Sequence, residues 1–275
     1  MEEQNVSEVE RFAELVEGNI AKMAGDRDFI GLSNIWVRES IRHKYAQNFS
    51  WLGRPIIQVP TDTYAIQEII WKVRPDLVIE TGIAHGGSLI MSASMLAMLD
   101  YCEAVAERKT LDPRKSNRRV VGIDIDIRPH NREAIEAHPL AHLIEMIQGS
   151  SIEESVVNQV KEKTKGHEKI LVFLDSNHTH DHVLAELEAY APLASAGSYC
   201  VVWDTGVEDL PAEFCTDRPW GKGNNPKTAV WEYLRRLSEN GGTGADGAPL
   251  RFEIDKVIEH KLVITASPDG FLKRI

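Results

Sequence analysis

Four acids, Glu80, Asp124, Asp175 and Asp204, each close an apolar run: Leu77-Val-Ile79, Val120-Val-Gly-Ile123, Ile170-Leu-Val-Phe-Leu174 and Cys200-Val-Val-Trp203. Such runs read as strands buried on both faces of a parallel sheet. Right-handed crossovers bring the ends of all four to one edge. A single strand-end acid is commonly a helix cap, but four on one edge point to ligand chemistry. Glu80 leads into a loop with Gly82, Gly86, Gly87 and Ser88, then a long apolar helical pattern from Leu89. Glycines let a backbone approach a ligand closely, and a helix start offers free N–H groups. The spacing is not the dinucleotide fingerprint G-x-G-x-x-G. An anion before the loop suits a cofactor that is positively charged there, and S-adenosylmethionine, with its ammonium and sulfonium, is one. Asp124 stands where a carboxylate accepts hydrogen bonds from ribose hydroxyls, with Asp126 the neighbouring candidate.

Asp175 and Asp204 are expected to end adjacent strands and together to hold a hard divalent cation such as Mg²⁺ through oxygen. A cation there lowers the pKa of a bound hydroxyl. His178 follows Asp175 closely enough to enter the site as a general base or to bind substrate. His178 and His182 have the i,i+4 spacing of a zinc pair if the helix has begun by then, but no HExxH accompanies them. His180 and His182 are otherwise expected on a helix surface. Cys200 lies inside a strand and reads as core. No Gly-x-Ser-x-Gly elbow supports a hydrolase triad.

The elements that must place these groups alternate strand and helix, which reads as a doubly wound parallel sheet. Strands are expected over 119–124, 143–148, 170–175 and 197–204 besides the one ending at Glu80. Two amphipathic helices over 7–24, capped by Ser7, and 28–45 precede the sheet, and could cover it or mediate assembly. A loop rich in Trp, Gly and Pro, 48–60, reads as a lid or a packed connector. Asp62 is expected to cap a helix ending at Pro75. The irregular stretch from Thr205 to Asn225, with Trp220, has the length of a lid. Pro226 starts a helix behind Asn225. The end reads as strands at 252–254, 261–265 and 271–275, with a tight turn at Pro268-Asp-Gly270.

The chain has 275 residues and a net charge of −11, enough for one large α/β domain and too acidic for a nucleic-acid binder. No apolar run suggests a membrane span or a secretory leader. Three cysteines without CxxC spacing fit a reducing cytoplasm.

Together these residues form a pattern: Trp51-Leu-Gly53-x-Pro55, Pro75-Asp-Leu-Val-Ile-Glu80-Thr-Gly82-x-x-x-Gly86-Gly87-Ser88, Gly122-Ile-Asp124 and Gly149-Ser-Ser151. It continues through Asp175-Ser-x-His178-Thr with Glu186-Leu and Tyr190, Tyr199-x-Val-Val-x-Asp204-Thr205, Trp220-Gly-x-Gly-Asn-Asn-Pro226 and Pro268-Asp-Gly270. From about residue 45 to the end, the chain resembles the cephalosporin hydroxylase / rhamnosyl O-methyltransferase family. The resemblance implies a class I S-adenosylmethionine-dependent methyltransferase: a Rossmann-like seven-stranded sheet whose last strand is antiparallel. The chain is thus expected to divide into a helical extension and flanking loop at 1–60 and the cofactor-binding domain at 61–275. By the same resemblance, Glu80, Gly82, Gly87 and Ser88 line the methionine portion, Asp124 the ribose, and Ser150 and Ser151 the adenine side. Asp175 would sit beside cofactor and metal, Asp204 would complete the metal pair, and His178 would join Asp175 in catalysis. The reaction implied is Mg-assisted methylation of a hydroxyl on a sugar, glycoside or natural product, by a homo-oligomer. In one departure, Trp203 stands where Mg-binding relatives can carry an acid just before the second aspartate. The facial triad of a non-haem iron hydroxylase is absent. A nicotinamide-dependent oxidoreductase and a non-catalytic cofactor-binding protein of the same fold are the alternatives.

Overall fold

The structure is a computed structural model that describes residues 7–275; the first six residues of the expected helical extension lie outside the described residues. Ser7 caps α1 (Glu8–Gly25) in a reciprocal box with Glu10, and Asp26 caps α2 (Arg27–Arg42). A short hairpin follows, β1 (Phe49–Trp51) and β2 (Arg54–Ile56), then α3 (Pro60–Val73). The sheet domain continues with β3 (Leu77–Thr81), α4 (Gly87–Ala106), β4 (Arg119–Asp124), α5 (Pro129–Glu136), β5 (Ile144–Gln148) and α6 (Glu154–Lys163). It closes with β6 (Ile170–Leu174), α7 (His180–Tyr190), β7 (Tyr199–Val202), α8 (Pro226–Asn240), β8 (Phe252–Ile254), α9 (Lys256–Leu262) and β9 (Phe271–Arg274).

The strands lie in the order β5-β4-β3-β6-β7-β9-β8. The first five are parallel, and β9 runs antiparallel between β7 and β8. Strand order reverses between β3 and β6, the switch point where an open α/β sheet leaves a crevice. One apolar layer packs Val156, Val160, Leu187 and Val230 of α6, α7 and α8 onto the sheet. The opposite layer packs Ile66, Ile70, Leu89, Leu96 and Ile135 of α3, α4 and α5. By length and composition α4 is apolar enough to cross a membrane. Here its buried face, Leu89, Ile90, Ala93, Leu96 and Leu99, is the helix layer over the sheet.

Two expectations need correction. No strand forms over 261–265: Asp255 accepts from the backbone of Val257 and Ile258 and starts α9, overriding the β-branched run that follows. The last strand is antiparallel as expected, lying between β7 and β8. Nor does Asp62 cap α3. The helix begins at Pro60, and Asp62 is wholly buried in its first turn, where Oδ2 accepts from the Ala266 amide at 2.9 Å. Burial pushes this carboxyl up to about 7.

Candidate functional site

The glycine loop between β3 and α4 is held from three directions. Asp124 Oδ2 accepts from the amides of Ile83 and Ala84, at 2.8 and 3.2 Å. Arg54, from the hairpin, donates to the His85 carbonyl (3.0 and 2.6 Å) and to Asn131 Oδ1 at 3.0 Å. Asn131 in turn donates to the Ala84 carbonyl at 2.9 Å. Two glycines are required by space. A Cβ on Gly82, whose φ is +89°, would lie 2.1 Å from the Asp175 carbonyl oxygen, and one on Gly87 would lie 2.2 Å from that of Pro55. Hairpin, loop and β6 therefore touch backbone to backbone.

Beneath this loop Glu80 is 2% exposed and accepts a bond from the Ser88 hydroxyl through Oε1, while its Oε2 has no partner. Burial pushes its carboxyl up to about 8, with the Ser88 bond acting in the opposite sense. A buried carboxylate with a free oxygen under a glycine cradle fits a cofactor that brings a cation to it.

The second cluster stands where β6 and β7 end. His178 Nε2 lies 3.2 Å from Asp204 Oδ2 and 3.5 Å from Asp175 Oδ1. One ligand-type atom from each residue falls within 4.8 Å of the others, a spacing that fits a divalent cation. Asp204 is in the left-handed region at φ 55°, which turns its carboxylate inward over the strand end. Burial would lower the His178 pKa, but the charges of Asp204 and Asp175 outweigh it and hold it at about 9. Asp175 is raised by burial and by Asp204, against the His178 hydrogen bond. The two titrate together, and the geometry places the shared proton on the imidazole between the carboxylates. Gln58 Nε2 reaches Asp175 Oδ2 at 3.4 Å.

The glycine loop, through Gly82 and Ser88, and the second cluster open on one cavity of about 250 Å³, lined also by Gln58, Asp175, His178 and Asp204. A larger cavity of about 520 Å³ lies apart from the acids, between α1–α2 and the segments 206–211 and 265–269. The 205–225 stretch folds beside the Asp175–His178–Asp204 cluster. Trp220 packs on the His178 ring at 4.8 Å, and Asn224 Oδ1 accepts from the first amide of α7 at 2.9 Å. Glu208 Oε2 accepts from Gly223 and Asn225, so the Trp220 turn is tied to the start of α8.

Glu80, Asp124, Ser150 and Ser151 stand outside the cavity lining, Glu80 lying behind Ser88, which does line it. Ser151 is buried, and its hydroxyl is 3.0 Å from His182 Nε2, which is 3.1 Å from the Ser176 hydroxyl. Ser176 also donates to the buried Glu186 at 2.6 Å. This corrects the surface placement of His182 and His180, for His180 Nδ1 lies 2.9 Å from Thr228 Oγ1. The zinc pair also fails, because α7 starts at His180 and His178 precedes it. Cys200 is core, as expected. Arg54, Asn131 and Gln58 were not foreseen; the only sequence signal was the Trp-Gly-Pro character of the 48–60 loop.

Comparison with known proteins follows the same lines. The family described as Rhamnosyl O-methyltransferase/CmcI matches residues 43–275. The rhamnosyl O-methyltransferase of Mycobacterium tuberculosis is 28% identical over 248 residues, covering 86% of this chain and 85% of that protein. That of Mycobacterium leprae is 27% identical over 246 residues, covering 86% and 90%. A solved CmcI structure with Mg and SAM superposes with a TM-score of 0.50 at 17% identity, over 83% of this chain and 77% of that one, a likeness of fold. With most of its length matched, the chain belongs to the Rhamnosyl O-methyltransferase/CmcI family.

Proposed function

We propose that this chain transfers the methyl group of S-adenosylmethionine to a hydroxyl of a sugar or glycoside, of the rhamnosyl kind named for its relatives. The observation that carries the reading is the meeting of the glycine loop, with Ser88 bonded to the buried Glu80 behind it, and the Asp175–His178–Asp204 cluster in one cavity. Glu80 and Ser88 would hold the cofactor's amino-acid end, Asp124 its ribose, and Ser150 and Ser151 its adenine side. Asp175 and Asp204 would hold a divalent cation such as Mg²⁺, as the donor set allows. When bound, the cofactor supplies an electrophilic methyl and the cation lowers the pKa of the acceptor hydroxyl.

The chain's own residues supply position and a place for the proton. The fixed glycine loop holds the cofactor side while the acid cluster orients the acceptor oxygen, so most of the rate comes from near-attack geometry. The acceptor's proton would pass to His178, whose protonated form Asp204 and Asp175 favour, once the ring has given up the proton it holds at rest. Trp220 and the 205–225 stretch would close over the acceptor and exclude water. Family membership sets the nicotinamide alternative aside.

Exposed Phe12, Leu15, Leu32 and Trp36 on α1 and α2 support the expected homo-oligomer. A Phe12→Glu, Leu32→Glu variant of the full chain should then sediment as a smaller species. The main reading is tested by titrating S-adenosylmethionine calorimetrically, with and without Mg²⁺, and by following label from its methyl group into an aryl rhamnoside. Cofactor binding without transfer to any hydroxylated acceptor would favour a non-catalytic protein.

A further inference from the structure

We propose that the cavity of about 520 Å³ beneath α1–α2 is a second sugar subsite, which takes the next ring of a glycoside whose first ring lies in the smaller cavity. The proposal rests on the reading of the acceptor as a sugar or glycoside, and it makes that acceptor longer than one ring.

Position is the first argument. Asp204 and Ala266 line the smaller cavity, while Gly206 and Thr265, from the same two segments, line the larger. The Gly206 amide donates to the Ala266 carbonyl at 2.9 Å, so one hydrogen-bonded pair of backbone segments is the wall between them. The larger volume falls within the range of about 300–1,000 Å³ usual for small-molecule sites.

The second argument is charge. Asp209, Lys227, Asp269, Lys256 and Glu259 all line this cavity and form a ladder of alternating sign. Lys227 Nζ lies 2.6 Å from Asp209 Oδ2 and 4.0 Å from Asp269 Oδ2. Lys256 Nζ bonds Asp269 and lies 2.8 Å from Glu259 Oε2. An anionic ligand would meet the carboxylates, and a cationic one the ammoniums. An apolar ligand would strip water from the whole ladder without replacing its hydrogen bonds. A sugar hydroxyl suits it, because one hydroxyl donates to a carboxylate while accepting from the next ammonium.

The third argument is an unmet donor. The Lys227 side chain is 7% exposed, and an ammonium carries three protons. Among the described residues it makes one hydrogen bond, to Asp209. Asp269 and the Trp231 ring, 5.8 Å away, flank it without bonding it. A buried ammonium on a cavity wall, with donors to spare, calls for a ligand oxygen. On the opposite side α2 brings the Asn34 amide together with Ile30 and Val37, which suit the C–H face of a ring.

The test is calorimetric binding of a methyl rhamnoside and of a methyl dirhamnoside to the full chain, with S-adenosylmethionine titrated separately as the control for folding. Wild type should bind the dirhamnoside about tenfold more tightly, the yield of a few added hydrogen bonds. Lys227→Met should remove that advantage and leave the affinities for the single-ring glycoside and the cofactor unchanged. Asn34→Trp, at an exposed position of α2, should do the same by filling the cavity, which guards against a folding defect in the first variant. Equal affinities for the two glycosides in wild type, or an advantage that survives both variants, would overturn the subsite and leave the acceptor class standing. Failure of wild type to bind either glycoside would overturn the acceptor class and the inference with it. The expected binding pattern without methyl transfer would instead sink the transferase reading and leave the subsite in place.

Discussion

The two halves of the active edge are built on opposite principles. On the side proposed for the cofactor, between β3 and β4, geometry is fixed by backbone. Asp124 holds loop amides, Arg54 and Asn131 hold loop carbonyls, and glycines let three segments touch. On the side proposed for the acceptor, at the ends of β6 and β7, geometry is fixed by charge. Two aspartates and an imidazole face one another, and little backbone bonding ties Asp204 down. A cofactor common to every turnover suits a preformed cradle, whereas a hydroxyl that must lose its proton needs groups whose charge can change. Losses on the first side should therefore appear in binding, and losses on the second in rate.

The largest effect should follow Asp204→Ala. Removing this carboxylate takes away both a ligand of the proposed cation site and the main charge acting on His178. Methyl transfer at saturating cofactor should fall by about 10²–10³-fold, the usual cost of losing one preorganised charge in a transition state. Calorimetry should show unaltered affinity for S-adenosylmethionine. A loss of cofactor binding of similar size would erase the distinction between the halves.

That distinction was only half legible in the sequence. Glu80, Asp124, Asp175 and Asp204 could be read because each closes an apolar run, and the sheet rules bring such ends together. Gln58, Arg54 and Asn131 could not, because their partners lie far away in sequence: Gln58 meets Asp175 across 117 residues and Arg54 meets Asn131 across 77. No local period marks a side chain that reaches between layers. His180 and His182 were misplaced for a related reason. Their first-turn positions on α7 look solvated from the sequence, yet they face Thr228 and Ser151, which arrive from α8 and the β5 end. The strand expected at 261–265 failed where a cap at Asp255 started α9 in competition with a β-branched run.

Next in size is a pH effect on stability. Glu80 is held near 8 in the fold against an ordinary value of 4.5, and Asp62 near 7 against 3.8, both because they are buried. Each binds its proton more tightly folded than unfolded. Their contribution is therefore full below the ordinary values and is lost as pH rises through 7 to 8. In the absence of cofactor, the Tm should fall between pH 5 and pH 9. Glu80→Gln and Asp62→Asn should each flatten that fall, and each should be more stable than wild type at pH 9 by on the order of a few kcal/mol. The two differ in one respect that sharpens the comparison: Glu80→Gln should weaken S-adenosylmethionine binding and Asp62→Asn should not. Equal pH profiles for wild type and Glu80→Gln would show that Glu80 ionises freely in the fold and is not kept as a buried acid for the cofactor's cation.

The smallest effect, and the most direct test of the cradle, is Arg54→Ala. The guanidinium makes two bonds to the His85 carbonyl and one to Asn131, and no atom of Arg54 lines the cavity. Its removal frees the loop without touching the reacting groups. Charge-assisted bonds of this kind contribute about 1.5–3 kcal/mol before the loop relaxes, so a rise in the Kd of S-adenosylmethionine of about tenfold, or 1.4 kcal/mol, is expected. The kcat at saturating cofactor should hold, because the bound loop recovers its geometry and the acid cluster is intact. Arg54→Lys should rescue little, since an ammonium cannot reproduce the two-pronged contact with His85 and Asn131. If kcat falls instead while Kd is steady, the hairpin acts on the acceptor side through Gln58, four residues further along the same segment, and the boundary between the two halves must be drawn through the 54–58 stretch.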